Sequence, residues 1–520
     1  MLGRDRTVRR SWPDDDDHRR ILLAPRDDLV SEDRAAGPAE SGGGCGGEAD
    51  DESAEARFVQ RHGPFADYER TVTNRDDHLH ETTTYRLTIP WFAWLFALPV
   101  RWALARKGAI HRTTPPWWAP PDQIDPRQAL VMGLLAAAAI SSAFVNTLFN
   151  QTAKFAADDF GVGNTGVGIA GAVVRAGIVV ALPFALLADR IGRQRVIRVV
   201  AWAAPSIAAL GAFAPSFPAL VATQAIGRPL GLALDFLIAV VVAEEMPRNS
   251  RAYAVSVLAM AAGLGSGIAV MALPLADLGD GGWRLVYLVA LIWLVVAVDI
   301  SRRLPETERF ERPHVVHPPL DLGRFVPIAA VAVCANFFVA PASFFQNSYL
   351  RDVRDFDAST IAMFTLITAT PAGLGLVIGG RLADVRGRRR MIGFAIPVAT
   401  VLVLASFSTG GAPMWLSAFG GGFIGGIAYP ALAVYRAELF PTGNRGRAAG
   451  YLTTAALMGG IVGLLLVGHL VDQGWSYASV IALVATGQIA VVVIVLTRFP
   501  ETAHQELEAL NPLDAQPPPD

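Results

Sequence analysis

Twelve apolar runs, each long enough to cross a bilayer, constrain this chain more than any other feature of it. Six fall at about 129–149, 166–188, 196–214, 218–243, 252–274 and 284–300. Six more fall at about 325–346, 360–383, 391–409, 413–436, 448–470 and 477–497. Runs of about 20 residues with few charges read as spanning helices, because lipid offers nothing to bond an exposed peptide group. With 52% hydrophobic and 17% charged residues and a mean hydropathy of +0.38, the chain is too apolar for a string of water-soluble domains.

The runs form two halves related by an internal duplication. The turn Leu187–Val196, LADRIGRQRV, recurs in Gly380–Met391, GRLADVRGRRRM, and Asp384 follows Asp189 by 195 residues. AEEMP ending at Pro247 returns as AELFP ending at Pro441, 194 residues on; Gly282–Trp283 returns as Gly474–Trp475, 192 on; PET at Pro305–Thr307 returns at Pro500–Thr502, 195 on. Four landmarks in one order at nearly one spacing mark a repeat. In each turn an acid precedes a basic residue by four, Asp189 with Arg193 and Asp384 with Arg388. A carboxylate at a helix end thus faces guanidinium groups across a tight loop.

These residues resemble the major facilitator superfamily of secondary transporters. The repeated turn is similar to that superfamily's signature between helices 2 and 3 and between helices 8 and 9. Glu438 and Arg445, seven apart in ELFPTGNRG, are matched by Glu244 and Arg251. With the PET segments they resemble the sugar porter and metabolite:proton symporter branch, over about 129–506. The resemblance implies an all-α membrane protein of twelve helices in two six-helix bundles, 128–300 and 325–497, joined by a cytoplasmic linker 301–324 and ending in a cytoplasmic tail 498–520. It also implies a charge network closing the cytoplasmic side: Asp189, Arg193, Glu244 and Arg251 in one half, Asp384, Arg388, Glu438 and Arg445 in the other, with Glu306 and Glu501 reaching the arginines. Pairs made in one state of such a network break in the other.

Arginines crowd the loops on one side, among them Arg190, Arg193, Arg195, Arg198, Arg302, Arg303 and Arg386 to Arg390, while Arg351 and Arg354 opposite are offset by Asp352, Asp355 and Asp357. The asymmetry places both termini in the cytoplasm of a multi-pass protein of the cell membrane. Net charge of −2 excludes a strongly basic nucleic-acid binder. Cys45 and Cys334 form no disulfide framework, His314 and His317 lack further ligands for a metal, and no cofactor motif appears. The expected partners are a small-molecule substrate, protons and the bilayer, with the chain a monomer.

Ahead of the helices, residues 1–60 carry Asp14 to Asp17 and Gly42 to Gly44 with few aromatics, and read as a disordered acidic tail. The extension continues over 61–127. Within it, 87–104 is apolar but short and contains Pro90 and Pro99; Trp91, Trp94 and Trp102 beside Arg101 and Arg106 suit an interfacial anchor.

Ionisable groups inside spanning helices carry the functional reading, since each is costly unless paired or facing water. Arg175 on helix 2 and Arg228 on helix 4 fall at similar depth, and Asp235 lies seven residues beyond Arg228. They read as a cavity whose arginines hold an anionic substrate while Asp235 accepts a coupling proton; a structural ion pair is the alternative. Helix 1 offers neutral Asn146, Asn150 and Gln151 where sugar porters often place a carboxylate, and Gln224 stands where an arginine of helix 4 is expected. Asn336 and Gln346 on helix 7, Thr365 and Thr368 on helix 8, and Tyr429, equivalent to Asp235 in the repeat, supply hydrogen bonds from the second half. The reading is proton-coupled uptake of a small organic acid by alternating access, not enzymatic catalysis. The alternatives are a sugar, metabolite or drug exporter of the same superfamily, and a transporter-like sensor or scaffold.

Overall fold

The computed structural model describes residues 5–35, 54–106 except 76, 113–181 except 117 and 121, 187, 191–247, 250–306, 321–440 and 445–502. Two bodies follow one another along the chain, a small β-sheet unit and a bundle of spanning helices.

The β unit overturns the disordered tail over most of its described length. Strands β1 (Arg6–Pro13), β2 (Ser31–Arg34), β3 (Ala54–His62), β4 (Phe65–Arg75) and β5 (His78–Leu87) form one antiparallel sheet in the order β1-β5-β4-β3-β2, and α1 (Asp16–Leu22) follows β1. Burial alternates along β5, so Leu79, Glu81, Thr83, Tyr85 and Leu87 point inward, the two-residue period of a half-buried strand. Trp12, Leu22, Phe58, Val72 and Leu79 form one small core; Val8, Val30, Phe65, Tyr85 and Leu87 form another that also takes in Val100, Ala103 and Leu104 of the following helix α2 (Ala97–Leu104). Composition averaged over residues 1–60 hides Val8, Trp12, Leu22, Val30 and Phe58, whose packing partners Phe65, Val72, Leu79 and Tyr85 lie beyond that segment. Residues 36–53 lie outside the described residues.

What apolar area does not supply, buried charge does. Arg70 Nη2 lies 2.5 Å from Glu32 Oε2, and both side chains are fully buried. Tyr68 donates to Glu32 Oε1 at 2.5 Å, and Arg70 donates to the carbonyls of Leu22 at 2.8 Å and Ala24 at 3.0 Å. Arg26, paired with Asp28 at 2.7 Å, donates to the carbonyls of Leu104 and Ala103, which ties the sheet to α2.

The spanning helices are α3 (Pro126–Asp159), α4 (Asn164–Ala176), α5 (Arg193–Leu210), α6 (Phe217–Glu245), α7 (Arg251–Met271) and α8 (Trp283–Arg303), then α9 (Leu322–Asp352), α10 (Ala358–Arg386), α11 (Arg388–Ser408), α12 (Gly411–Glu438), α13 (Arg445–Asp472) and α14 (Tyr477–Arg498). Eleven are long and apolar enough to cross a membrane as described; α4 is followed by a 3-10 turn at Gly177–Val180, and most of 181–190 lies outside the described residues. Pro126 starts α3 behind an Asp125–Gln128 capping box. At about 1.5 Å per residue its 34 residues exceed the hydrocarbon core, so its polar end stands clear and meets the other half. α9 gives way at Phe345, after Pro341, to a short helical continuation.

The extension packs on the first bundle. Gly133 of α3 admits Pro90, whose Cδ would sit 2.5 Å from a Cβ there. Trp91 donates to Asp299 at 3.1 Å, Tyr253 donates to the Trp118 carbonyl, and the Asp122 amide donates to Ser250. Trp94, Leu98 and Trp102 remain 60–73% exposed, an apolar apron of the kind the headgroup layer accommodates.

Burial pushes the Glu32 carboxyl up, but the bonds from Arg70 and Tyr68 outweigh it and hold it below its ordinary 4.5. Its contribution is therefore present above that pH and lost as pH falls through the lower folded value. Glu32→Ala is expected to weaken the β unit by about 3–5 kcal/mol, because it removes the nearer of the two buried counter-ions of Arg70 and leaves Glu81 at 3.5 Å, while leaving the helices folded. Urea-titrated pulse proteolysis of the full chain, read by the size of the surviving fragment, checks this; an unshifted midpoint for the β unit would contradict it.

Candidate substrate-binding site

Closure of one face sets the geometry of the site. On the side opposite the arginine-rich loops the hydrophobic core is one cluster running through both halves, from Phe144 and Val167 to Phe344 and Leu464; toward the basic face it divides into separate clusters, one per half. A set of hydrogen bonds and ion pairs joins the halves on the closed face. Lys154 Nζ is 2.6 Å from Asp352 and 2.8 Å from Asp158, Arg351 is 2.7 Å from Asp158, and Tyr477 donates to Asn164 at 3.0 Å.

Two of these links are reciprocal. Asp472, at the end of α13, accepts the amides of Asn164 at 2.9 Å and Thr165 at 2.7 Å, the first turn of α4. Asp277 accepts the amides of Ala358 and Ser359 at 2.9 Å each, the first turn of α10. Each half thus lends a carboxylate to the bare N–H groups opening the second helix of the other, where helix dipole and unmet donors favour an anion. Asp472 follows Asp277 by 195 residues, the period of the duplication. The sequence reading passed over this pair, and that period was the signal that could have found it. Between the caps α4 and α13 touch backbone to backbone: a Cβ on Gly168 would meet the Leu464 carbonyl at 2.6 Å, and one on Gly468 the Asn164 carbonyl at 2.5 Å.

Beneath this seal two arginines converge. A Cβ on Gly177 would sit 2.5 Å from the Ala225 carbonyl, so the glycine lets α4 approach α6 and brings Arg175 within Coulombic reach of Arg228. Neither guanidinium has a hydrogen bond or ion pair among the described residues, and the Nε of each is buried and unsatisfied. Arg175 reaches across to the second half, its Nη1 3.6 Å from where a Cβ on Gly460 would lie, beside the Asn336 backbone. Asn336 and Tyr429 line a cavity of about 690 Å³ in the second half, walled by Phe338, Val403 and Leu432 and by glycines 421, 422, 425 and 426.

The alternative reading, an ion pair between an arginine and Asp235, is not seen among the described residues. Seven helical residues separate Arg228 and Asp235 by about 10.5 Å. Asp235 faces α3 instead, where Asn146 donates to its Oδ2 at 3.0 Å and Ser142 donates to the Gly231 carbonyl at 2.7 Å. Gln151 is taken into the closed face by Asn347, which donates to its side chain at 3.0 Å. Gln224 is buried and donates to the Ala208 carbonyl, so it joins α6 to α5 and does not face the cavity. Asn150 and Gln346 are half-buried near the seal, and Thr368 donates to its own helix.

A family model described as Major Facilitator Superfamily matches residues 135–370 and 326–517. The chain belongs to the major facilitator superfamily. It is 25% identical over 213 residues to the cis,cis-muconate transport protein of Acinetobacter baylyi, covering 38% of this chain and 52% of that one. It is 30% identical over 130 residues to a Streptomyces coelicolor protein named as a probable actinorhodin transporter, covering 24% and 22%. The chain thus spans about half the length, or less, of these curated relatives. Among solved structures, the xylose transporter XylE from E. coli in an inward-open conformation aligns with a TM-score of 0.63 at 15% identity, over 74% of this chain and 99% of that one. A bacterial homologue of the human lysosomal transporter Spinster, inward-facing, aligns at 0.56 and 18% identity over 71% and 94%. At such identity the likeness is one of fold.

Within this superfamily fold the expected gate on the basic face is only partly visible. Glu306 accepts the amides of Arg193 at 3.0 Å and Gln194 at 3.1 Å; Glu501 accepts those of Arg388 at 2.8 Å and Arg389 at 3.1 Å. Both PET carboxylates therefore cap a helix, across Gly192 at φ +101° and Gly387 at φ +92°. The side chains of Asp189, Glu244, Arg251, Asp384, Glu438 and Arg445, like His314 and His317, lie outside the described residues.

Each helix cap contributes roughly 0.5–2 kcal/mol. Asp277→Ala with Asp472→Ala is expected to raise the population open on the sealed face about fivefold to several-hundredfold. Reaction of a polar maleimide with Asn150→Cys, in a chain whose Cys45 and Cys334 are replaced, reports this; unchanged labelling would show that the caps do not hold the seal.

Proposed function

We propose that this chain is a secondary transporter of the cell membrane that takes up a small organic anion, a carboxylate with an apolar body, by alternating access coupled to protons. The observation that carries the reading is the pair Arg175 and Arg228, brought together within the bundle with no counter-ion among the described residues. Cations cost several kcal/mol there unless something pairs with them, and a substrate carboxylate is that partner. The adjoining cavity near Asn336 and Tyr429, mostly apolar with a few polar groups, suits the remainder of such a molecule. The muconate transporter among the relatives supports an organic acid as the class.

The arginine-rich loops and both ends of the bundle share one face, which the positive-inside rule assigns to the cytoplasm. The seal on the other face then makes this the inward-open state. Asp235, held by Asn146 between α3 and α6, is the candidate proton acceptor: a neutral carboxylic acid there costs less to carry across than a charged one.

A hydrogen bond to a charged partner contributes about 1.5–3 kcal/mol, so Arg175→Gln or Arg228→Gln is expected to weaken carboxylate uptake by about 10- to 150-fold. Asp235→Asn is expected to abolish accumulation driven by an inward proton gradient while sparing counterflow exchange. Proteoliposomes offered labelled carboxylates and sugars test both. Accumulation of a neutral sugar that survives both arginine substitutions would reduce them to structural groups, and movement only against an outward gradient would establish export.

A further inference from the structure

At the basic-face end of the second half, α10 and α11 diverge from Gly387, and α12 closes the gap behind them. The groove between them is a cavity of about 520 Å³, floored by Ile424 and Ile427, walled by Leu382 and Phe394, and rimmed by Arg386 and Arg390. A second pocket, of about 510 Å³, adjoins it on the far side of the same two arginines.

The four cations of this turn divide into two kinds. Arg388 and Arg389 give their amides to Glu501, and the Arg389 side chain donates to the Leu496 carbonyl. Arg386 and Arg390 are exposed and have no hydrogen bond or ion pair among the described residues. Beside them Phe394 is 63% and Val385 66% exposed. An apolar groove opening at the ends of spanning helices under two unpaired guanidinium groups is complementary to a molecule with an acyl chain below a phosphate. The duplication supplies an internal control: one period earlier, Arg390 corresponds to Arg195, but Arg386 corresponds to Ile191 and Phe394 to Val199, so the first half lacks the cation pair.

We propose that this groove binds an anionic phospholipid, with the headgroup phosphate between Arg386 and Arg390 and an acyl chain against Phe394, Leu382 and the α12 floor. Binding of phosphatidylglycerol and of phosphatidylcholine to the full-length chain in detergent, followed by native mass spectrometry, tests it. Phosphatidylglycerol is expected to bind more tightly than phosphatidylcholine. At roughly 1 kcal/mol per basic side chain, Arg386→Gln with Arg390→Gln is expected to weaken phosphatidylglycerol about thirtyfold, Arg386→Lys with Arg390→Lys to retain it, and Arg195→Gln to leave it unchanged. A monodisperse gel-filtration profile establishes that each variant is folded. Equal affinity for the two lipids, full binding by the double Gln variant, or an equal loss in Arg195→Gln would overturn the proposal. So would soluble glycerol 3-phosphate binding as tightly as the lipid, since the apolar groove would then contribute nothing.

Discussion

The arrangement of this molecule depends on two carboxylates placed where helix N-termini of the opposite half need them. A helix begins with amides that have no partner within it, and in a membrane protein water is scarce near many of them. α4 and α10 meet that need with Asp472 and Asp277, residues of the other half. The two caps are related by the duplication, so the closed face is built twice from one design. With that face sealed, the halves can separate only toward the arginine-rich loops. Glycines 168 and 468 let the helices of the seal meet closely: with any side chain there, α4 and α13 would stand further apart and the amides would drift from their acids.

The same seal fixes the electrostatics below it. Arg175 and Arg228 hang from helices whose crossing depends on Gly177, and Arg175 extends toward Gly460 in the partner bundle. Two unpaired cations at this depth are a standing cost, and the folded bundle tolerates it because the core sealing the other face is large and continuous through both halves. On the proposed reading, an anion arriving between them would relieve that cost. Relief of this kind contributes to transport only if it differs between states. The reach of Arg175 across the interface would provide a difference in the proposed cycle, since the distance from its guanidinium to the second-half cavity would change if the halves rocked.

Sequence made the twelve spans and the two halves legible because the apolar period and the repeated loops are local signals. Gly192 and Gly387 were evident as turn residues, and their positive φ angles follow from the loop each must close. What escaped were features whose meaning is pairwise and distant. The Asp277 and Asp472 caps look like ordinary loop acids until their partners 82 and 308 residues away are known. Asp235 and Arg228 share a helical face, yet the pair does not form, because Ser142, Asn146 and Gly231 decide the local packing. The β unit was lost for a compositional reason. Arg26 and Glu32 count as signs of disorder in an average over residues 1–60, whereas in the fold they are interior groups satisfied by Asp28, by Arg70 beyond that segment, and by carbonyls.

That β unit also makes the halves mechanically unequal. Its sheet is bound to α2 by Arg26, and the chain beyond is bound to the first bundle at Pro90, Trp91 and Tyr253. Trp94, Leu98 and Trp102 face outward from the same rigid segment. Aromatic side chains at the headgroup level resist displacement along the membrane normal, so a half that carries this apron costs more to tilt than one that does not. The second half has no such apron among its described residues; at its basic end it presents a groove between α10 and α11. Rocking of two bundles about one seal needs only relative motion, and where one bundle is anchored, the greater share of that motion relative to the bilayer falls to the other.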